Sequence, residues 1–338
     1  MATISENLQT LNEAKQAIKA AIENKGQDLT DVPFTQYAEK IEAIESGSSS
    51  GYTLGKYLKE KSGQECVQLF NNCKDLTDED LKQAFKECPD FSLTNPNYTF
   101  YGCEKLTEIP YFDMSKSTKS LEYTFAECKN LEKLPPEFDT RNVTVAPYAT
   151  FNNCISLKEA PFMDFSNCVR GNCFNMFGNC KSLKTVPCYN FGTVTEVYYF
   201  VTGCDNIEVI PAIDLRYVTG RISAFLNKNY ALREVWVKNI SLSFEAGGSN
   251  WGHLLTVESL IHLIKELRDR DTLLTLTIGT VNLEKLANVY VRTIPVTDEM
   301  RAEDDLIDEK LPFELCESTD EGAMLIADYV SFKNWQLR

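Results

Sequence analysis

Twelve cysteines and two histidines are the residues of this 338-residue chain whose types could carry chemistry. Cysteines in such numbers could form disulfides, hold zinc or act as nucleophiles. Zinc sites favour cysteines with two residues between them, whereas Cys168, Cys173, Cys180 and Cys188 have four, six and seven residues between them, and no histidine lies near. We therefore expect these cysteines to fill a core rather than to bind a metal.

The two histidines, His253 and His262, also lack a catalytic context. Neither lies in an H-E-x-x-H motif, and the chain contains no G-x-S-x-G nucleophile elbow, phosphate loop or G-x-G-x-x-G motif. No motif favours a Cys–His pair. The sequence predicts a protein that is not an enzyme and has no cofactor. A polysaccharide depolymerase would need two carboxylates paired in a groove, which a sequence cannot place.

A repeated unit, F-x-x-C-x-x-L-x-x-x-P, gives most of these cysteines a fixed position. Its cysteine position recurs every 24 to 26 residues, with Val201 replacing phenylalanine in the fifth copy and Asn229 replacing cysteine in the sixth. We call the phenylalanines and cysteines of the first five copies the ladder residues. They are Phe100, Cys103, Phe125, Cys128, Phe151, Cys154, Phe177, Cys180 and Cys204.

A period near 25 predicts an α+β chain dominated by a leucine-rich-repeat-type solenoid. Stacked units would place phenylalanine on phenylalanine and cysteine on cysteine in one continuous core. Because free cysteine behaves as a small hydrophobe, we expect the five ladder cysteines to be buried, reduced thiols. The repeat proline should end the short strand it follows.

Two further positions of the unit are apolar. Cys173 occupies the place held by Leu121 and Val197, four residues before the phenylalanine position, and is therefore expected in the core. A second apolar position, eight residues before the phenylalanine, is held by Val143, Val169 and Val218.

Charge and hydropathy exclude some classes of partner. The net charge is −15, so the chain should repel phosphate backbones, and nucleic acid is not an expected partner. No apolar run reaches the roughly 18 residues of a membrane-spanning helix, and the N-terminal residues do not match a secretory signal. We therefore expect synthesis in a reducing cytoplasm, where thiols stay unpaired.

The repeat resembles a known family. The unit TRNVTVAPYATFNNCISLKEAP is similar to the BspA-like leucine-rich repeats of bacterial surface proteins, and the likeness covers roughly residues 66–245. This family has no common catalytic site. The resemblance therefore implies only binding or display at a surface.

Residues 1–45 have a different pattern, that of an amphipathic helical hairpin. Such a hairpin is too small to hold a strong core alone, so its apolar faces should be buried on a partner. The flexible segment SGSSSG, residues 46–51, follows it and precedes a repeat body over 52–245. The apolar positions of the two faces, our candidate attachment or oligomerisation residues, are Leu8, Leu11, Ile18, Ile22, Phe34, Tyr37, Ile41 and Ile44.

The N-terminal segment carries a second resemblance. NLQTLNEAKQAIKAAIENKGQDLTDVPFTQYAEKIEAI is similar to the start of many fibre and virion surface proteins of tailed bacteriophages, including crAss-like gut phages. The resemblance implies a module that attaches to other virion proteins or joins chains into a homo-oligomer. The alternative is a simple N-terminal cap on the solenoid.

The remaining residues, 246–338, should cap the last repeat. The sequence predicts a helix that begins after Thr256, a strand within 272–279 and a further helix. Seven acidic residues lie between Asp298 and Glu309 without the pattern of a calcium loop. We expect a solvated acidic insertion there, with weak cation binding as the alternative.

Together these features predict a fibre or decoration protein on a phage virion, made in the host cytoplasm and not secreted. Its repeat body would bind a host-surface glycan or protein. A bacterial surface adhesin and a cytoplasmic scaffold remain alternatives. Four aromatic residues follow repeat prolines and could stack on a ligand: Tyr111, Phe112, Tyr189 and Phe191, the last of which we expect in the core.

Overall fold

The computed structural model describes residues 18, 19, 22, 53–248, 251–268, 274–332 and 335–338. The chain divides into two compact units, Met1–Thr53 and Leu54–Arg338. In the first unit Ile18 and Ile22 are helical, Ile22 is buried and Ile18 is 40% exposed. The other predicted attachment positions lie outside the described residues: Leu8, Leu11, Phe34, Tyr37, Ile41 and Ile44.

Two helices begin the second unit: α1 spans Leu54–Lys61 and α2 spans Asp78–Glu87. Thr77 caps α2, because its side chain accepts a hydrogen bond from the backbone of Asp80 while the Asp80 carboxylate accepts one from the backbone of Thr77. The two helices contact each other, and Leu58 of α1 and Leu81 of α2 are buried at the start of the core.

The repeat region forms small parallel sheets from very short strands. Residues pair with residues 24 or 25 positions later, as in Glu137 with Phe162 and Cys173 with Val197, so each unit lies beside the next. Isolated bridges continue this pairing between the named strands. The strands are β1 Glu137–Phe138, β2 Phe162–Met163, β3 Cys173–Phe174, β4 Val197–Tyr198, β5 Val209–Ile210 and β6 Glu234–Val235, which pair as β1–β2, β3–β4 and β5–β6.

A left-handed backbone conformation recurs directly before each cysteine position. Glycine and asparagine tolerate this conformation best, which explains why the motif so often contains Asn-Cys or Gly-Cys. A side chain at Gly102 would also lie 2.5 Å from the Asn72 side-chain oxygen. The residues concerned are Asn72, Gly102, Glu127, Asn153, Asn179, Gly203 and Lys228, with φ between 57° and 71°.

Two expectations for the repeat need correction. Strand β5 does end before Pro211, but β2 follows Pro161, so the repeat proline separates two pairing segments rather than ending every strand. Val169 is 65% exposed and Cys168 is buried in its place. Cys168 lies 25 residues after Val143, whereas Phe177 lies 26 residues after Phe151, so counting back from the phenylalanine selects the wrong residue. The extra residue of this unit lies between Arg170 and Phe174, which pair with Val145 and Tyr148.

The C-terminal region contains the helix and the strand expected there. Thr256 caps the helix at Val257–Lys265 by accepting a hydrogen bond from the backbone of Ser259. The elements of this region are β7 Phe244–Glu245, α3 Val257–Lys265, β8 Leu274–Thr277, α4 Thr280–Leu286, β9 Tyr290–Thr293, α5 Asp298–Glu303, α6 Ile307–Lys310, β10 Phe313–Cys316, β11 Met324–Leu325, α7 Ile326–Phe332 and β12 Trp335–Leu337. A parallel sheet has the order β12–β8–β7, and an antiparallel sheet has the order β10–β9–β11.

The acidic segment Asp298–Lys310 is largely exposed, as the sequence predicts, since the helix Asp298–Glu303 has no buried residue and the Asp305 side chain is 69% exposed. Its ion pairs with distant residues were not predicted. Arg216 of the repeat region bonds Asp305 at 3.0 Å, and Arg268 bonds Glu309 at 2.7 Å. Lys310 is only 4% exposed and contacts both Glu266 and Asp304 at 2.6 Å. Ion pairs therefore join this segment to Arg216 of the repeat region and to Glu266 and Arg268 of the C-terminal region.

Candidate binding surface

The ladder phenylalanines form one stacked column inside the repeat region. The ring centroids of Phe100 and Phe125 lie 5.8 Å apart, those of Phe125 and Phe151 5.3 Å, and those of Phe151 and Phe177 5.0 Å. The rings are nearly parallel, within 7°, and fully buried. Each unit thus supplies one ring to a continuous apolar column.

Beside this column runs a ladder of thiol hydrogen bonds. Each ladder cysteine is fully buried, and its Sγ donates to the backbone carbonyl of the phenylalanine at the start of the preceding unit. All twelve cysteines lie in the described part of the chain and are free. The bonded pairs are Cys103–Phe70 (3.1 Å), Cys128–Phe100 (2.9 Å), Cys154–Phe125 (3.0 Å), Cys180–Phe151 (3.1 Å) and Cys204–Phe177 (2.8 Å).

Burial disfavours the charged form of these thiols. It raises the pKa of Cys103, Cys128, Cys154 and Cys180 far above the value of an exposed cysteine, because a thiolate would lose its hydration. The thiolate is the form that attacks substrates and binds metals. Protonated thiols that donate to carbonyls are suited to packing and pairing rather than to nucleophilic chemistry.

The cysteines outside the ladder differ in their exposure. Cys173 is fully buried, and so is Cys168, where burial raises the pKa to about 12. Cys188 is exposed, and its Sγ donates to the carbonyl of Ala212 at 3.1 Å. It borders a surface cleft of about 350 Å³ whose wall also includes Asp214.

Both histidines bond to backbone carbonyls instead of to side chains that could share a catalytic role. His253 Nε2 lies 3.0 Å from the carbonyl oxygen of Gly248, and His262 Nε2 lies 3.0 Å from that of Val237. Within the described ranges, no group of three or more histidine, cysteine, aspartate or glutamate side chains is arranged to hold a metal ion. In the same ranges, no helix is long and apolar enough to cross a membrane.

Three of the four aromatic residues considered as ligand contacts belong to the core. Phe112, Tyr189 and Phe191 are at most 3% exposed, and the Tyr189 hydroxyl donates to the carbonyl of Pro161 at 2.7 Å. Only Tyr111 is open to solvent, at 55% exposure, and its ring stacks on that of Phe138. These four residues therefore do not form a common surface.

A different row of aromatic rings does lie along the surface, and we call it the tyrosine face: Tyr98, Tyr123, Tyr148, Phe174 and Tyr198. Successive units each contribute one ring, and every ring is partly exposed. The spacing between neighbouring centroids is 5.0, 5.6, 4.9 and 5.1 Å along the row. The row therefore crosses five units without a gap.

Polar groups continue the tyrosine face at both ends. The Tyr98 hydroxyl donates to the Glu122 carboxylate at 3.2 Å. At the other end, the Arg221 guanidinium covers the Tyr198 ring at 4.1 Å, and its Nε donates to the Ser223 hydroxyl at 3.1 Å. Ser223 in turn lines a second cleft of about 350 Å³, which we call the hydroxyl cleft, together with Ser243, Glu245, Thr275, Thr277 and Arg338.

Burial and neighbouring groups keep the tyrosine hydroxyls protonated. Burial, followed by the Glu122 carboxylate, raises the pKa of Tyr98 well above its ordinary value. Burial, followed by the Tyr148 hydroxyl, also raises the pKa of Tyr123. At neutral pH these hydroxyls can donate and accept hydrogen bonds, so the face is neutral, aromatic and polar at its edge.

Sequence reasoning missed this face, although the sequence does contain a pattern that could have indicated it. An aromatic residue lies two positions before Phe100 and Phe125, and three positions before Phe151, Phe177 and Val201. The change of offset from two to three hides the period. No protein-family model, curated protein or solved structure matches the chain.

Proposed function

We propose that this chain is a non-enzymatic structural protein of a tailed-phage virion, a fibre or decoration subunit. The N-terminal segment attaches it to other virion proteins or to sister chains in a homo-oligomer. The repeat body is a leucine-rich-repeat-type solenoid, which displays its side to a host-surface glycan or protein. The site of action is the virion surface.

One observation carries this proposal: the chain consists of a small N-terminal unit, Met1–Thr53, and a separate large unit with repeated parallel pairing. In such a chain the small unit can attach to a particle while the long repeat body presents a binding surface. The resemblance of the N-terminal segment to those of phage fibre proteins indicates that the particle is a phage virion. The tyrosine face supplies a regular surface for contact.

In this proposal the ladder cysteines have a structural role. The ladder thiols are buried and bond to backbone carbonyls, as Cys128 does to Phe100. Such groups stabilise the stacking of units and need no ligand. The proposal therefore assigns recognition to the surface and stability to the cysteines.

Purified particles provide the test. Density-gradient-purified phage particles are digested and analysed by mass spectrometry, and intact particles are labelled with gold-conjugated antibodies against residues 54–338. We expect peptides of this chain at a constant ratio to the capsid protein, with gold on the particle surface. A chain abundant in the lysate but missing from purified particles would contradict the proposal.

A further inference from the structure

We propose that the tyrosine face and the adjoining hydroxyl cleft bind a linear, neutral polysaccharide. This inference rests on the proposed function, because it names the class of ligand that the displayed side of the repeat body takes. Three properties of the described residues support it: the linear order of the rings, the backbone strain at two of the tyrosines, and the polar chemistry around them.

The first property is linear order. One ring per unit, from Tyr98 to Tyr198, continues at intervals of 4.9 to 5.6 Å in the direction in which the units stack. A surface that repeats along one axis fits a ligand that also repeats along one axis. A polysaccharide strand meets this condition, and each of its rings can meet equivalent contacts on successive units.

The second property is backbone strain. Two residues of the row, Tyr98 and Tyr123, have φ of 58° and 50°, in the left-handed region that a bulky residue rarely adopts. The corresponding turns of other units place residues outside the row in the same conformation, namely Ala149, Asn175, Tyr199 and Ala224, so the turn does not require tyrosine. Strained positions cluster at ligand-binding sites. The tyrosines are also only partly buried, so they add less to the core than the ladder phenylalanines do.

The third property is the chemistry of the surroundings. Because neighbouring rings of the row lie against one another, a ligand meets their exposed edges and hydroxyls rather than their faces. The edges offer apolar contact to the C–H groups of a sugar, and the hydroxyls can bond to sugar hydroxyls. The hydroxyl cleft adds the side chains of Ser223, Ser243, Thr275 and Thr277, the first of which accepts a hydrogen bond from Arg221. A few placed polar groups beside aromatic surface are the usual composition of a site for a polar organic ligand.

The negative charge of the protein favours binding of a neutral polymer over an acidic one. The chain has a net charge of −15, and Glu122 lies at the edge of the row with its carboxylate bonded to Tyr98. The one cation stacked on the described part of the row, Arg221, already covers the outer ring. A polyanionic strand would therefore be repelled over most of its length, whereas a neutral strand would not.

The test is calorimetric titration of the full chain with four soluble polymers: linear mannan, β-glucan and galactan as neutral probes, and polygalacturonate as the anionic probe. We compare the wild-type chain with the double variant Tyr123→Ala/Tyr148→Ala. The control is Tyr230→Ala, which removes a 48%-exposed tyrosine away from the row. The single variant Tyr148→Ser, at a position without left-handed strain, replaces the double variant if that one melts at a much lower temperature.

We expect at least one neutral polymer to bind, with at least tenfold weaker binding in the double variant or in Tyr148→Ser, and unchanged binding in Tyr230→Ala. Absence of binding to all three neutral polymers, binding to polygalacturonate alone, or equal binding by the row variants would overturn the inference. The particle experiment is independent of this one. A chain found on particles that binds no neutral polymer contradicts only the inference, and a chain that binds but is missing from particles contradicts only the proposed function.

Discussion

The thiol of Cys154 donates a 3.0 Å hydrogen bond to the backbone carbonyl of Phe125, 29 residues earlier in the chain. The same carbonyl accepts a bond from the backbone N–H of Cys128, so two successive units meet at one oxygen. Cysteine suits this position because it is small, largely apolar and able to donate weakly. Alanine would fill less space and would donate nothing.

The first prediction concerns this contact. Cys154→Ala should lower the free energy of unfolding by about 1–3 kcal/mol, because it leaves a small void and removes one of the two donors to the Phe125 carbonyl. Cys154→Ser should recover part of this loss, since the hydroxyl can donate to the same oxygen. Urea unfolding followed by circular dichroism measures both changes.

Lys158→Ser is the matched control, since it lies in the same unit but on the surface. Lys158 is 61% exposed and pairs with Glu132, and such exposed pairs contribute about 0–1 kcal/mol. If Lys158→Ser and Cys154→Ala shift the unfolding curve equally, the thiol ladder does not stabilise the stacking.

The second prediction is selective reactivity of the cysteines. In the native protein a maleimide reagent should modify the exposed Cys73 and Cys188 first, while the five ladder cysteines react only after denaturation. Intact-mass spectrometry counts the labels with time, and Cys188→Ser should remove one rapidly added label. Fast labelling of all five ladder cysteines in native protein is the contrary result.

The third prediction is loss of stability at alkaline pH. Burial raises the pKa of the Cys128, Cys154 and Cys180 thiols, so the folded state keeps protons that the unfolded state releases. Their contribution is complete below about pH 8.5, the unfolded value, and declines as the pH rises toward the folded values. Each thiol should cost about 1.4 kcal/mol per pH unit in that window.

The comparison with Cys154→Ala isolates this effect from other groups that titrate in the same range. Urea unfolding between pH 8 and 10.5 should give a shallower decline for the variant than for the wild-type chain. Parallel curves for the two proteins would show that the Cys154 thiol has the same pKa in the folded and unfolded states.

The fourth prediction concerns the acidic segment. Lys310→Met should lower the free energy of unfolding by about 3–5 kcal/mol, because it leaves Glu266 and Asp304 without their shared cation in a nearly buried position. Arg301→Met, which removes an exposed pairing with Asp308, should cost about 0–1 kcal/mol. Thermal unfolding of the two variants side by side checks the difference, and equal shifts would contradict it.

The ion pair between Lys310 and Asp304 also affects how the stability of the protein falls at acid pH. Burial acts to raise the pKa of Asp304, but the hydrogen bonds from Lys310 and from the backbone of Leu306, together with the charges of Lys310 and Arg216, outweigh it, so the pKa lies below its ordinary value. A carboxyl group with a lowered folded pKa stabilises the protein above its unfolded pKa of about 3.9, and this stabilisation is lost as the pH falls further. The variant Lys310→Met should therefore lose less stability than the wild-type chain below pH 4.

Burial in the repeat region could be predicted from sequence because the same side chains recur at one spacing. Phe151 and Cys154 belong to a unit that returns every 24 to 26 residues, and the structure buries both completely. The helix after Thr256 could also be predicted, because a capping residue precedes a periodic apolar face. In both cases the determining interactions are local or strictly repeated.

The features that escaped prediction depend on partners distant in the chain or on a shifted register. Nothing local relates Asp305 to Arg216, which lies 89 residues earlier, so the ion pairs of the acidic segment could not be predicted. Cys168 rather than Val169 faces inward, because this unit has one extra residue between Arg170 and Phe174. The tyrosine face was missed for a similar reason, since Tyr123 and Tyr148 lie at different offsets from their phenylalanines.

The division between attachment and display is tested most directly by removing the first unit, Met1–Thr53. Phage particles are assembled in cells that supply either the full chain or residues 54–338 with the same epitope tag, and the tag is quantified on purified particles. We expect the shortened chain to keep the melting temperature of the repeat body, within about 2 °C for a change of well under 1 kcal/mol, and to be missing from particles. Equal amounts of the two chains on particles would contradict the account, because attachment would then lie in the repeat body or the C-terminal region.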